Sequence, residues 1–435
     1  MQRCFALTGL ILLIVAASGR AADISNETLE KTVRTVTPTM IALRRDFHRH
    51  PELSNREFRT SEKVAEKLRS LGMEVQTGIA HTGVTGILRG GRPGPVIALR
   101  ADMDALPVTE ETDVPFKSVA RSEYRGQEVG VMHACGHDGH MAILLAAAEA
   151  LASMRESLPG TVLFVFQPAE EGAPDGEEGG ASLMLSEGVF DGVKPEAVFG
   201  LHLWAPMNAG KIGYRSGPMM AASDRYRIVV TGRQTHGSRP WGGVDPIVTA
   251  SQNVLGMQTI VSRQVDISTY PAVLSVGAIE GGIRNNIIPD KVEMIGTFRT
   301  FDPAVRSQII ENMTRNAKSI AEAAGATATV EIATDNNPVV VNDPKLTARM
   351  IPVLKKNIGE DNVNIMPYVT GAEDFAEYAL RVPGFFFFVG VTPPGTNASQ
   401  APSNHSPLFY IDEAALEVGL RATLAVALEY LQGSS

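Results

Sequence analysis

Hydrophobic positions fall at helical spacing over residues 25–45 and again over 59–70, the first segment running out at His50-Pro51 and the second closed by Gly72. Proline pushes the residue before it out of the helical region, so a helix end is expected there. Past Gly72, short apolar runs at 95–100, 161–166 and 197–203 read as strands, and the Ala/Leu-rich stretch 140–151 reads as a helix between the first two. Strands that alternate with helices predict a mainly parallel sheet covered on both faces.

Between residues 217 and 336 the rhythm changes to strand 224–231, helix 245–262, strands 273–279 and 291–299, helix 303–324 and strand 327–332. That βαββαβ order is the order of a ferredoxin-like unit. Alternation then resumes with helix 344–355, a strand-like 363–366, the apolar run 384–389 and a long helix 412–431. The predicted fold is therefore α/β: a main domain in two parts, 23–216 and 337–435, interrupted by an inserted domain at 217–336. A chain of 435 residues is long enough to need two cores. We find no internal repeat.

Composition narrows the function classes. The net charge of -9 is spread along the chain with no Lys/Arg block, which excludes a nucleic-acid track or an anionic membrane surface as partner. Residues 1–22 run from Arg3 through an apolar stretch at 5–17 into small residues, the layout of an export signal cut between Ser18 and Ala22. The apolar stretch is short for a bilayer span, so no stable membrane anchor is expected and the mature chain is placed in the periplasm or outside the cell. Once the signal is removed, Cys135 is the one remaining cysteine. A lone thiol in an oxidising compartment needs burial or a ligand.

The densest chemistry lies in His133-Ala134-Cys135-Gly136-His137-Asp138-Gly139-His140. On an extended segment Cys135 and His137 project to the same side and can share a metal ion. His133 and His140 are either ligands or supports. Gln167-Pro168-Ala169-Glu170-Glu171-Gly172 follows the strand 161–166, where open α/β sheets place their sites. Adjacent acids on a turn diverge, so one can bind metal while the other moves a proton. Asp175, Glu177 and Glu178 read as solvated. His202 follows the strand 197–201, Asp102 and Asp104 close the strand 96–99, and His405 sits in a Pro/Asn-rich loop before the last helix.

Several of these motifs carry a family resemblance. The run Leu43 to Leu53 with Glu57, together with 98–107, 133–140, 167–172, Gly200-Leu201-His202, Gly281-Gly282 with Asn286 to Pro289, and His405-Ser406-Pro407, resembles the bacterial hippurate hydrolases and plant auxin-conjugate amidohydrolases. These belong to the co-catalytic metallopeptidases that include aminoacylases and carboxypeptidases. The resemblance implies two divalent cations per subunit, zinc by ligand softness or else manganese, cobalt or nickel. It implies Cys135, His137, Glu171, His202 and His405 as metal ligands, Glu170 as general base and Asp104 as the residue that orients a ligand histidine. It places Asp102 where many relatives carry a histidine ligand. His236 corresponds to a histidine lent to the active site, often that of a neighbouring subunit. Asn286 and Arg299 correspond to substrate-binding positions. The implied activity is hydrolysis of N-acyl amino acids or similar small conjugates, with a homodimer formed through the inserted domain acting as a lid. Three alternatives stay open: a metal-dependent dipeptidase or carboxypeptidase, a thiol hydrolase using Cys135, and a metal- or ligand-binding module without catalysis.

Overall fold

The computed structural model describes residues 26–334 and 337–433, so the expected export signal lies outside the described residues. Eight strands form the central sheet in the spatial order Glu74–Ile79, Gly83–Arg89, Pro159–Gln167, Arg92–Asp102, Ala197–Asn208, Gly384–Thr392, Ile212–Tyr214, Val363–Ile365. The four inner strands, from 159–167 across to 384–392, run parallel. Antiparallel pairings enter only where the hairpin 74–89 joins one side and strand 212–214 joins the other.

The phenylalanine run shows why the sheet is layered. Strand 384–392 is buried at every position, as an inner parallel strand covered on both faces must be. Alternate side chains leave opposite faces of a strand. Phe385 and Phe387 enter the core shared with helices Asn26–Arg49, His137–Ser153, Pro344–Ile358 and Ala414–Gln432, while Phe386 and Phe388 enter the core on the other face. Helix 137–153 is the most deeply set, buried along nearly its whole length. A Cβ on Gly139 would meet Leu203 Cδ1 at 2.3 Å, so any larger residue would make the buried Leu203 side chain shift where the first turn of this helix approaches strand 197–208.

A second, antiparallel sheet of four strands has the order Val273–Glu280, Lys291–Thr300, Ala222–Thr231, Thr327–Ile332. Helices Pro246–Gln264 and Pro303–Ala323 pack on it around a separate apolar core. Asp245 and Asp302 cap these helices through their side chains, each followed by a proline at the first helical position. Where the chain leaves the main body and returns to it, Gly217–Met220 pairs with Val340–Asn342.

The alternation of strands and helices is borne out, with differences at the edges. The deep helix begins at His137 instead of residue 140, and the first helix runs on to Arg49. The hairpins 74–89 and 121–130 are additional to the predicted elements. No described helix is long and apolar enough to cross a membrane.

Candidate metal centre

Parallel strands deliver residues to one edge of a sheet, and here they deliver a convergent set. Cys135 Sγ lies 3.4 Å from His202 Nε2 and 3.2 Å from His405 Nε2. His405 Nε2 is 3.1 Å from Glu171 Oε1. His137 Nε2 faces the same centre, 4.0 Å from Glu171 Oε1 and 3.8 Å from Glu170 Oε2. The structure therefore gathers all five predicted ligands and the predicted base. His405, with 55% of its side chain exposed, leaves the cluster open to solvent on one side.

Each side chain is aimed by its backbone. Cys135 lies in a bend, Gly136 takes a left-handed φ of 100°, and His137 opens the helix. The extended geometry expected for Cys135 to His137 is thus replaced by a turn, which presents both residues inward by a different route. His137 Nδ1 faces the Asp104 carbonyl at 2.8 Å. A proton on Nδ1 leaves the Nε2 lone pair for a ligand. His202 stands inside strand 197–208, not after it, and its Nδ1 faces the Leu203 carbonyl at 2.8 Å, again freeing Nε2. The acidic turn is pinned by Asp104, whose carboxylate accepts the N–H groups of Glu170 at 3.1 Å and Glu171 at 3.0 Å and the Ser54 hydroxyl at 2.8 Å. Glu57 accepts the N–H of Ala169 at 3.0 Å, holding that residue at a φ of 53°. On the last loop, the Asn404 amide donates to the carbonyls of Cys135 and Leu203 at 3.1 and 3.0 Å, and His405 N–H donates to the Ala134 carbonyl at 2.8 Å.

The electrostatics test whether cations suit this cluster. Burial, together with the charges of Glu373, Glu171 and Asp374, lifts the Glu170 carboxyl well above the usual range. Burial and the charges of Glu171 and Glu170 push the Cys135 thiol up as well. Burial alone would lower the His137 imidazole, yet Asp102, Asp104 and Glu171 raise it to about 10. Burial and His140 keep His202 well below its ordinary value, hence neutral. Among the described residues, His137 Nε2 is buried without a hydrogen-bond partner. An orphaned donor atom, surplus negative charge and a sulfur, nitrogen and oxygen set around one point are what divalent cations would satisfy. The residues fit.

Behind the cluster stands a layer that the sequence pattern only partly disclosed. His140, open above as ligand or support, is a support: its Nδ1 lies 2.6 Å from Asp102 Oδ1 and its Nε2 accepts the Leu203 N–H at 2.8 Å. Asp102 is 3.8 Å from His137 Nε2 and is paired with Arg100 at 2.7 Å. The same guanidinium binds Glu373 at 3.0 Å and Asp374 at 2.8 Å. Glu373 and Asp374 carry no local motif of their own, and only the fold brings them beneath Glu170. Asp175, Glu177 and Glu178 are exposed, as expected of a solvated acidic loop; at the surface Glu177 pairs with Arg56 and accepts from Asn55 at 3.0 Å, which holds its carboxyl at about 2, and Asp175 pairs with Arg125.

His236, Asn286 and Arg299 lie on the antiparallel unit and, among the described residues, form no hydrogen bond or ion pair with the cluster. His236 is exposed and bonds to Ser238. Asn286 is exposed beside it, its carbonyl accepting the Gly237 N–H at 2.8 Å. Arg299 donates to the hydroxyls of Ser223 and Thr297.

Comparison with known proteins decides what this arrangement belongs to. Residues 98–429 match the model of peptidase family M20/M25/M40. The chain belongs to that family. Thermostable carboxypeptidase 2 of Saccharolobus solfataricus is 40% identical over 405 residues, covering 93% of this chain and 98% of the relative. An N-acyl-L-amino acid amidohydrolase of Geobacillus stearothermophilus is 44% identical over 302 residues, 69% of this chain and 78% of the relative. A dinuclear metal-binding M20 peptidase of Bacillus subtilis superposes with a TM-score of 0.75 at 35% identity, covering 92% of this chain and 99% of the other. The expected family is thereby borne out, and that last M20 structure binds two metals through a fold like this one.

Proposed function

We propose that this chain is a hydrolase that cuts the amide bond of N-acyl amino acids, with two divalent cations held by Cys135, His137, Glu171, His202 and His405. The convergence of one thiol, three imidazoles and a carboxylate on a single point, with Glu170 at its rim, carries this reading. When bound, such cations supply a Lewis acid and lower the pKa of water. Glu170 acts as the base. Burial and its negative surroundings make it hold a proton more firmly than an ordinary carboxylate. It takes a proton from the attacking water and returns it to the departing amine. Asp104 keeps Glu170 and Glu171 in place through their backbone N–H groups.

The buried thiol speaks against the thiol hydrolase. A cysteine whose ionisation is opposed by burial and by two carboxylates is a poor nucleophile. The likeness to a relative named a carboxypeptidase keeps small peptides as a second substrate reading. The antiparallel unit is read as an inserted ferredoxin-like lid spanning about 217–336, supported by its strand order and separate core. His236 and Asn286 would then serve the site of a second copy. Their exposure, next to an Ile283 that is 98% exposed, supports a homodimer formed through this unit. The layout of residues 1–22 supports export.

The test is release of free amino acid from a panel of N-acyl amino acids, including benzoyl-glycine, and of dipeptides, with and without chelator. We expect hydrolysis of the acyl conjugates that chelator removes and zinc or manganese restores. Glu170→Gln should retain bound metal and lose turnover. A Glu170→Gln variant of parental rate removes Glu170 from the base role.

A further inference from the structure

The motif 43–53 holds two buried basic residues, Arg44 and His48, that the chemistry above does not use. Both reach the same oxygen of Asp138: Arg44 Nε at 2.8 Å and His48 Nδ1 at 2.8 Å. Asp138 is fully buried and follows His137 in the first turn of helix 137–153. The other ring nitrogen of His48 turns away, to Glu110 Oε1 at 3.0 Å. Glu110 is also buried, and its carboxylate accepts the Thr112 hydroxyl and the Ser118 N–H. The next residue, Glu111, donates its N–H to the Pro407 carbonyl at 2.9 Å, in the loop that presents His405.

One imidazole thus links the helix that begins at His137, by way of the segment 110–111, to the loop that carries His405. The helix and the loop are far apart in sequence and also meet across the cluster itself, through Asn404 and the Ala134 carbonyl, and in the apolar core that holds Phe409 and Ile411. The loop has no regular structure to hold it, and His405 sits at a left-handed φ of 71°. Carboxylates only accept hydrogen bonds, so satisfying Asp138 and Glu110 together takes a ring with N–H on both nitrogens. Glutamine, asparagine and serine offer no such pair of opposed donors.

We propose that His48 is a positioning residue for the metal centre: through Asp138 and Glu110 it sets the distance between His137 and His405, without touching either. The inference rests on the metal-centre reading above. Residues behind metal ligands typically change metal affinity by about 10- to 100-fold when replaced, and that is the size of effect expected here.

The experiment titrates the metal-free full chain with Co2+ alone, in the parent, His48→Gln, His405→Ala and the double variant, reading affinity and visible absorption. His48→Gln should bind Co2+ about 10- to 100-fold more weakly, with a spectrum at saturation that resembles that of His405→Ala. In the His405→Ala background the same change should have little further effect, because residues acting through one path are not additive. Parental affinity in His48→Gln, a parental spectrum, or losses that multiply in the double variant overturn the proposal. A buried histidine between two acids is also a stability element, so Glu110→Gln serves as the second variant wherever His48→Gln does not fold. It keeps the shape but sets an NH2 against either the Ser118 N–H or the His48 ring, and the same cycle with His405→Ala is read. A parent chain that takes up no Co2+ sinks the metal centre and this inference with it, whereas a parent that binds beside variants that bind equally sinks the inference alone.

Discussion

Replacing Asp104 with asparagine disturbs the positioning of Glu170 and Glu171 while leaving both carboxylates in place, and it also removes a charge 3.3 Å from His137 Nδ1. Both Asp104 oxygens are engaged: Oδ1 accepts the Glu170 N–H at 3.1 Å, and Oδ2 accepts the Glu171 N–H at 3.0 Å and the Ser54 hydroxyl at 2.8 Å. Asparagine has the same shape, but whichever way its amide turns, an NH2 group meets a backbone N–H. The turn loses one charge-assisted hydrogen bond and gains a repulsive contact. Hydrogen bonds to charged groups contribute about 1.5–3 kcal/mol, and leaving a buried donor unmet costs a similar amount. A displacement worth about 2–3 kcal/mol in the transition state corresponds to roughly a 30- to 150-fold lower kcat/KM. With Glu170 in the proposed role of base, moving protons and not gripping the substrate, the loss should fall on kcat with KM little changed. The assay is steady-state hydrolysis of benzoyl-glycine by metal-saturated parent and variant, with thermal melts confirming that the variant is folded. A variant within twofold of the parent, or a loss confined to KM, refutes the argument that Asp104 aims the base.

Two further outcomes follow from other parts of the molecule. Cys135→Ser exchanges a sulfur that ionises for a hydroxyl that does not, so divalent-cation affinity should fall by more than the roughly 10- to 100-fold usual for residues behind the ligands; equilibrium dialysis with Zn2+ measures it, and unchanged affinity removes the sulfur from the site. On the antiparallel unit, burial raises the Tyr226 hydroxyl, which donates to the Ser275 carbonyl at 3.0 Å, to about 12. An unfolded tyrosine ionises near pH 10. Between about pH 10 and 12 the unfolded chain therefore sheds a proton that the folded chain keeps, and stability falls as pH rises, with no contribution below that window. Urea denaturation at pH 8 and pH 10.5 should show a larger alkaline loss in the parent than in Tyr226→Phe, and equal losses contradict the assignment.

What the sequence determined alone is the inventory and its order. Periodicity marked the inner strands and long helices, because a covered parallel strand such as 384–392 has to be apolar throughout and a capped helix such as 303–323 announces itself with Asp302 and Pro303. The cluster His133 to His140 and the Glu170-Glu171 pair were legible because metal and proton chemistry draws on few residue types, packed closely in the chain. Only the tertiary structure decided how they meet. Cys135 and His405 touch across a separation of 270 residues through a left-handed turn and a loop, geometries with no periodic signature. Arg100 lies far from Glu373 and Asp374 in sequence, and the three become the buried support of Glu170 only when separate segments close over them. His48 is the plainest case. Its position within a motif was visible, but a bridge is defined by its two ends, and those are brought together by packing that no local pattern encodes.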